Sequence, residues 1–172
     1  TISEFVSIDA NTRKNLELTE TSRDKNKKGS LLWAINRTST NMGARLLSKW
    51  IHQPLQNLTE INKRQDAVEE LLQDSQSRIK LTSLLDKVYD IERLSTKISN
   101  NSVNARDFLA LKDSLENLPM FKELLKDKKS PYLSVFNQDY SQINTLCGII
   151  DKTIADNPPI SIKEGNLIKP GV

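Results

Sequence analysis

Acids, bases, thiols and phosphate cradles carry most protein chemistry, and this sequence has few of them in working arrangements. His52 is the one histidine and Cys147 the one cysteine among 172 residues, which excludes His-rich zinc sites and Cys–His zinc frameworks. A Cys147–His52 nucleophile pair is formally conceivable. Cys147, however, falls on an apolar helical stripe, where a thiolate is disfavoured. The five glycines are scattered, and neither GxxxxGK(S/T) nor GxGxxG occurs, so no loop is built to hold phosphate. Acidic pairs such as Glu69–Glu70 lie between lysines and arginines on helix surfaces, without the apolar setting that raises a carboxyl pKa. No catalytic site, metal site or cofactor site is expected in these residues.

Two aromatic residues and one arginine remain as candidates for binding. Trp33 and Trp50 could stack a ligand, but they stand beside Leu32 and Leu47 on helical apolar stripes and are expected in the core. Arg45 lies three residues after Met42, on a helix whose other face is apolar. Its guanidinium can clamp a neighbouring loop's carbonyls or a carboxylate, or its stem can simply lie over the core. Both readings stand at this level.

The elements that must position these residues are helices. The hydrophobic share of 37% and charged share of 27% describe a soluble globular chain. Its length suits one domain with a real core. No apolar run approaches a membrane span, and the start, "TISEFVSIDA", reads as neither a signal peptide nor an initiator sequence, as in an excised piece. A single cysteine makes a reducing, cytoplasmic setting the default. The net charge of +3 is mild. The basic stretches "RDKNKK" (residues 23–28) and "KELLKDKK" (residues 122–129) contain acids and lack interleaved aromatics, so they read as a solvated loop and a helix end.

Helical period continues along most of the chain. Asp9 is placed to cap a short helix, followed by an extended piece at Leu16–Leu18 and a polar loop. Ser30 can cap "LLWAIN". Thr40 can cap a helix over Asn41–His52, in which Met42, Leu46, Leu47 and Trp50 share one face. Gly43 costs ~1 kcal/mol relative to alanine in a helix interior, so its place in the first turn predicts that a neighbour comes close. Pro54 ends the segment. Thr59 is expected to cap the next helix, with Ile61, Val68, Leu71 and Leu72 inward. Asn104 with Asp107 forms a capping-box pattern, and Cys147 reads as a small core residue. At the end, Pro158–Pro159, alternating Ile160 and Ile162, a Glu-Gly-Asn turn and Leu167–Ile168 predict a β-hairpin. The expected fold is therefore all-α: a multi-helix core domain with a short extended segment near the N-terminus and a C-terminal β-hairpin.

Two stretches, "SIDANTRKNLELT" and "GSLLWAINRTSTNMGARLLSKWIHQPL", together resemble the start of the core domain of the MutS family of DNA mismatch-recognition ATPases. The family pattern is Asp-x-x-Thr-x-x-Asn-Leu-Glu, then Thr-x-Thr-x-Met-Gly-x-Arg-x-Leu with a later Trp and Pro-Leu. Asp9, Thr12, Asn15, Leu16 and Glu17 supply the first part. Thr38, Thr40, Met42, Gly43, Arg45, Leu47, Trp50, Pro54 and Leu55 supply the second. "DIERLSTKISNNSVNARDFLALKDSLENLP" and "DNPPISIKEGNLIKPG" are similar to later family segments, so the likeness covers essentially the whole chain. The Asn-Leu-Glu run favours the bacterial branch.

The resemblance implies a division into a helical core over residues 1–157 and a hairpin over 158–172 that leads toward a lever helix and clamp. It implies a dimeric parent that binds mismatched double-stranded DNA and couples clamp, connector and ATPase domains, with ATP and magnesium as the parent's cofactors. The Walker A loop is not found in this sequence, and Phe-x-Glu occurs only as Phe121-Lys122-Glu123, in the helical stretch that runs into "KELLKDKK" rather than in an N-terminal mismatch-reading domain. The implied role here is thus structural and allosteric, linking the ATPase to the DNA grip rather than performing either activity. Two rival readings remain: a freestanding helical protein-interaction module, and a weak non-specific nucleic-acid binder acting through the two basic stretches.

Overall fold

The computed structural model describes residues 4–171. The chain divides into two compact units, residues 1–70 and 71–172. In the first, α1 is Ala10–Asn15, α2 Leu31–Ile35 and α3 Asn41–His52, and α4, Leu58–Gln73, runs across the boundary. The second holds α5 (Ser75–Leu85), α6 (Ile91–Ser99), α7 (Ala105–Leu115), α8 (Leu118–Leu125), α9 (Pro131–Ser134) and α10 (Ser141–Thr153).

Local chemistry starts these helices where the sequence places caps. The side chains of Asp9, Ser30 and Thr40 each accept backbone N–H bonds from the first turns of α1, α2 and α3. Each such cap satisfies a donor that the helix itself leaves open. Asn104 and Asp107 complete the reciprocal capping box of α7. The next cap differs from expectation. Asn57, not Thr59, receives the Thr59 and Glu60 N–H groups at 2.9 and 3.3 Å. From one residue before α4, the Asn57 side-chain oxygen reaches both donors, whereas Thr59 already lies inside the helix.

In the second unit α7 packs on α6 and on α10, and α5 packs on α8. Leu94, Leu111, Phe121, Leu125, Leu133, Cys147 and Ile150 are buried there. Phe121 and Phe136 stack with centroids 5.7 Å apart. Tyr140 is buried with its hydroxyl donating to the Phe136 carbonyl at 2.9 Å, which satisfies the polar end of an aromatic core residue. In the first unit α2 packs on α3, and Leu18 and Ala67 are buried.

Several expected inward faces are instead open. Val68 and Leu72 of α4 are exposed, as is Trp33 of α2, which is therefore not a core residue. No residue of α3 is fully buried: Met42, Leu47 and Trp50 are half-buried and Leu46 is exposed. Period fixes which residues share a face, but not how much covers that face.

Two extended features differ from the sequence reading. Leu16–Leu18 is a helix stop, not an extended piece: Glu17 has φ +49°, and the Glu17 and Leu18 N–H groups return to the Lys14 and Arg13 carbonyls at 3.1 and 3.3 Å. That is a Schellman closure. Among the described residues, extended pairing near the N-terminus is instead an isolated antiparallel bridge, Phe5 with Leu55. The C-terminal β-hairpin does not form. Pro158 and Pro159 have no N–H to give a ladder, and Ser161 caps a 3-10 turn at Ile162–Glu164. Gly165 then takes φ +70° and Asn166 φ +54°, and the returning strand meets the end of α10. Ile154 and Ile168 form an isolated antiparallel bridge, with Ala155 N–H to Leu167 and Lys169 N–H to Thr153 at 3.0 and 2.9 Å.

Candidate functional site

The motif residues fold as consecutive stops and starts along residues 9–54. Asp9 accepts the Asn11 and Thr12 N–H groups at 2.9 and 3.0 Å and the Thr12 hydroxyl at 2.6 Å. The Thr12 hydroxyl, then these backbone donors, hold its carboxyl below the usual carboxylate range. Asn15 ends α1 and, like Leu16, is exposed. Glu17 occupies the left-handed position, which costs a non-glycine residue on the order of 1 kcal/mol. Its carboxylate compensates by accepting the Ser22 N–H at 2.6 Å.

That corner also begins the next helix. The Glu17 and Leu18 carbonyls accept the Leu31 and Leu32 N–H groups at 3.0 and 2.9 Å. Ser30, fully buried, accepts from Trp33 N–H and donates to the Lys27 carbonyl. The intervening "RDKNKK" segment is exposed. The Asn-Leu-Glu run therefore docks α2 through its backbone while spending its acidic side chain on its own loop.

Thr38, Thr40 and Gly43 meet at the entry to α3. Thr38 donates both N–H and hydroxyl to the Asn36 side-chain carbonyl, at 3.1 and 2.7 Å. Thr40 accepts the Gly43 N–H at 3.0 Å. A Cβ on Gly43 would stand 3.2 Å from Thr40 Oγ1 and 3.3 Å from Thr38 Cβ. The neighbour that Gly43 accommodates is thus its own entry loop's threonine side chains, rather than another element's backbone.

Farther along α3, Arg45 is exposed and Met42 half-buried. Trp50 lies under the Arg64 guanidinium of α4, 3.7 Å from its ring centroid. His52 Nδ1 lies 2.8 Å from the Ser48 carbonyl, an acceptor, so Nδ1 carries the proton in that bond. The Pro54 carbonyl accepts the Val6 N–H at 2.8 Å.

Structure brings Asp9 to Thr12, and Thr38 and Thr40 to Gly43. Three cavities of the second unit contain none of the motif residues. Cys147 Sγ faces the Lys112 carbonyl at 4.0 Å, and burial pushes its thiol pKa up. Among the described residues no group of His, Cys, Asp and Glu is disposed to hold a metal ion, and no helix is long and apolar enough to cross a membrane.

The lysines of "KELLKDKK" serve the protein's own structure. Lys122 donates to the Gln138 carbonyl, Lys126 pairs with Glu123, and Lys128 with Asp74. Sequence reading missed Arg64, Asp74 and Ser114. Ser114 had one available signal: it is a polar residue on the buried stripe of α7. Trp50 and Lys128, which meet Arg64 and Asp74, are distant in sequence and brought near by folding, so those pairs left no local pattern, whereas the Asp74 cap on Ser77 was a local signal.

Comparison with known proteins places this geometry among relatives. The family profile described as MutS domain III matches residues 11–170. The DNA mismatch repair protein MutS of Ruminiclostridium cellulolyticum is 47% identical over 99% of this chain and 20% of its own length. That of Acetivibrio thermocellus is 50% identical over 99% and 20%, and that of Synechococcus elongatus 46% over 99% and 19%. The chain thus spans about a fifth of the length of these relatives.

Proposed function

The chain belongs to the MutS domain III family, and on that premise we propose that it is the structural core of a bacterial mismatch-repair protein, coupling an ATPase to a clamp on DNA. The family match over residues 11–170 carries this reading. The run of caps from Asp9 to Thr40 supports it physically. The start of α2 is tied to the stop of α1 through the Glu17 and Leu18 carbonyls, and Thr38, in the loop that enters α3, bonds the Asn36 side chain at the end of α2. Such ties favour joint movement of α1 and α2, and a rigid core with two packings of similar energy can pass a nucleotide signal.

On this reading the parent is a cytoplasmic homodimer. It meets mismatched double-stranded DNA through other domains, and its clamp, connector and ATPase domains are this chain's partners. ATP and magnesium belong to the parent's ATPase portion. The described residues do not fit a metal ion, so no nucleotide step is placed on them. Arg45, exposed on α3, is the residue proposed to fix a loop of the core or a neighbouring domain.

Fluorescence anisotropy with matched and G·T-mismatched duplexes tests the assignment. The chain alone should show no preference for the mismatch, and a preference would overturn the placement of recognition elsewhere. In the full-length protein, Arg45→Ala should slow ATP-dependent release from a mismatch while nucleotide-free binding is kept. Unchanged release kinetics would remove Arg45 from the coupling.

A further inference from the structure

Two stretches of the chain are rich in basic residues, and the fold uses them differently. Lys122, Lys126 and Lys128 are engaged by partners inside the second unit. Arg13, Lys14, Arg23, Lys25, Lys27 and Lys28 of the first unit are exposed, and none belongs to an ion pair among the described residues. Residues 13–28 hold three acids against these six cations, so the local surplus equals the whole chain's net charge of +3.

The loop that carries Arg23 to Lys28 is closed on itself. Thr21 N–H donates to the Asn26 carbonyl at 2.8 Å, and Lys25 N–H to the Thr21 carbonyl at 3.1 Å. Asn26 N–H donates to the Thr21 hydroxyl oxygen at 3.2 Å, and Lys25 takes φ +49° within the turn. Ser22 pins this loop to the end of α1. Its hydroxyl donates to the Lys14 carbonyl at 2.7 Å, and its N–H to the Glu17 carboxylate at 2.6 Å. Arg23 thus follows directly on a residue bonded to Lys14, and the loop's cations join those of the last turn of α1 in one corner.

We propose that this corner grips the phosphate backbone of duplex DNA without reading its sequence. The choice of DNA rests on the function proposed above, and mismatch reading stays with other domains. Unpaired cations that meet phosphates release the counterions condensed on DNA, which supplies sequence-independent affinity. A protein occupant, the rest of the parent included, fits less well. Residues 19–29 contribute no hydrophobic residue, whereas protein interfaces bury apolar anchors at their centre and are depleted in lysine. Residues 13–28 also hold no aromatic side chain to stack an unpaired base, which favours a duplex over a single strand.

The probe is a fluorescein-labelled matched duplex, titrated with this chain and with the full-length parent from about 50 to about 200 mM salt. The chain's affinity should fall roughly 40-fold over that range, as expected for about three phosphate contacts. The triple change Arg23→Gln, Lys25→Gln and Lys27→Gln should cut that fall to under about threefold. A second triple, Lys80→Gln, Lys87→Gln and Lys163→Gln, removes the same charge elsewhere and should leave the fall as it was. In the parent, the first triple should flatten the salt dependence on matched and G·T-mismatched duplexes alike. Absence of binding by the chain at low salt, or equal losses in the two triples, overturns the proposal. An unchanged salt dependence in the parent overturns it too, by showing that the rest of that protein covers the corner. Displacement by polyglutamate at a lower charge concentration than by unlabelled duplex would overturn it in favour of an acidic protein segment. The same titrations read the mismatch preference of the wild-type parent, whose absence would fail the proposed function alone.

Discussion

The guanidinium carbon of Arg64 sits 3.7 Å from the centroid of the Trp50 ring, stacking α4 on α3 inside the first unit. Arg64 Nε is buried without a hydrogen-bond acceptor, so the ring face is what meets that charge. Guanidinium suits the position because it is planar and more weakly hydrated than an ammonium.

Arg64→Ala should therefore destabilise the chain by about 1 kcal/mol. A cation–π contact contributes roughly 0.5–2 kcal/mol depending on desolvation, and the arginine stem adds packing. Urea unfolding followed by tryptophan emission checks this, because Trp50 reports the same contact. An unchanged midpoint would mean that the stack contributes nothing net.

Gly43 carries the next expectation. Gly43→Leu must push Thr38 or Thr40 aside, since even a Cβ would stand 3.2–3.3 Å from them. Overpacking of this kind costs about 1–3 kcal/mol. Thr38→Ala in the same chain should recover part of that loss, giving a coupling above about 0.5 kcal/mol in a double-mutant cycle. Additive effects would show that the crowding lies elsewhere.

How much of this was legible depended on how local the cause was. Asp9, Ser30, Thr40 and Asn104 cap through residues two or three positions away, and all four were readable. Leu16–Leu18 misled because alternating apolar residues look extended, whereas Glu17 is driven into the left-handed region by closure of α1. The hairpin at Ile160–Ile168 failed for a similar reason: alternation was present, but two prolines withheld donors and Ser161 offered a competing turn. The motif residues from Asp9 to Pro54 were recognisable as a set, but their positions are caps and corners rather than a pocket. The open faces at Trp33, Val68 and Leu72 were not readable, because period carries no information about what lies opposite.

The Asp74–Lys128 pair gives a pH signature. Asp74 Oδ1 caps α5 through the Ser77 N–H, and Oδ2 lies 2.9 Å from Lys128 Nζ. The lysine first, then Ser77, holds the carboxyl well below the usual carboxylate range. A depressed folded-state pKa stabilises above the unfolded value of about 3.9 and is lost as pH falls below it. Asparagine caps about as well as aspartate, so Asp74→Asn removes mainly the charge. Its thermal midpoint should lie below wild type at pH 7, with the gap narrowing as pH drops below about 4. A gap of constant size down to strongly acid pH would assign the effect to packing.

Ser114 offers the most local test of how the second unit is held. It is 1% exposed, its hydroxyl donates to the Ala110 carbonyl at 2.8 Å, and it accepts the Tyr89 N–H at 2.9 Å. One small side chain thus ties the turn between α5 and α6 to α7, across 25 residues of sequence. Ser114→Ala removes the acceptor and leaves the Tyr89 donor without this partner. Losing a partly buried bond of this type costs about 1–3 kcal/mol when the remaining group is left unsatisfied, and nearer 1 when water reaches it. Alanine leaves almost no cavity, so the loss is polar rather than steric. The Tyr89 amide should exchange with solvent faster in the variant, by a factor larger than at α10 amides such as that of Ile150. Equal acceleration at both places would show only global destabilisation and would deny Ser114 a role as the local tie.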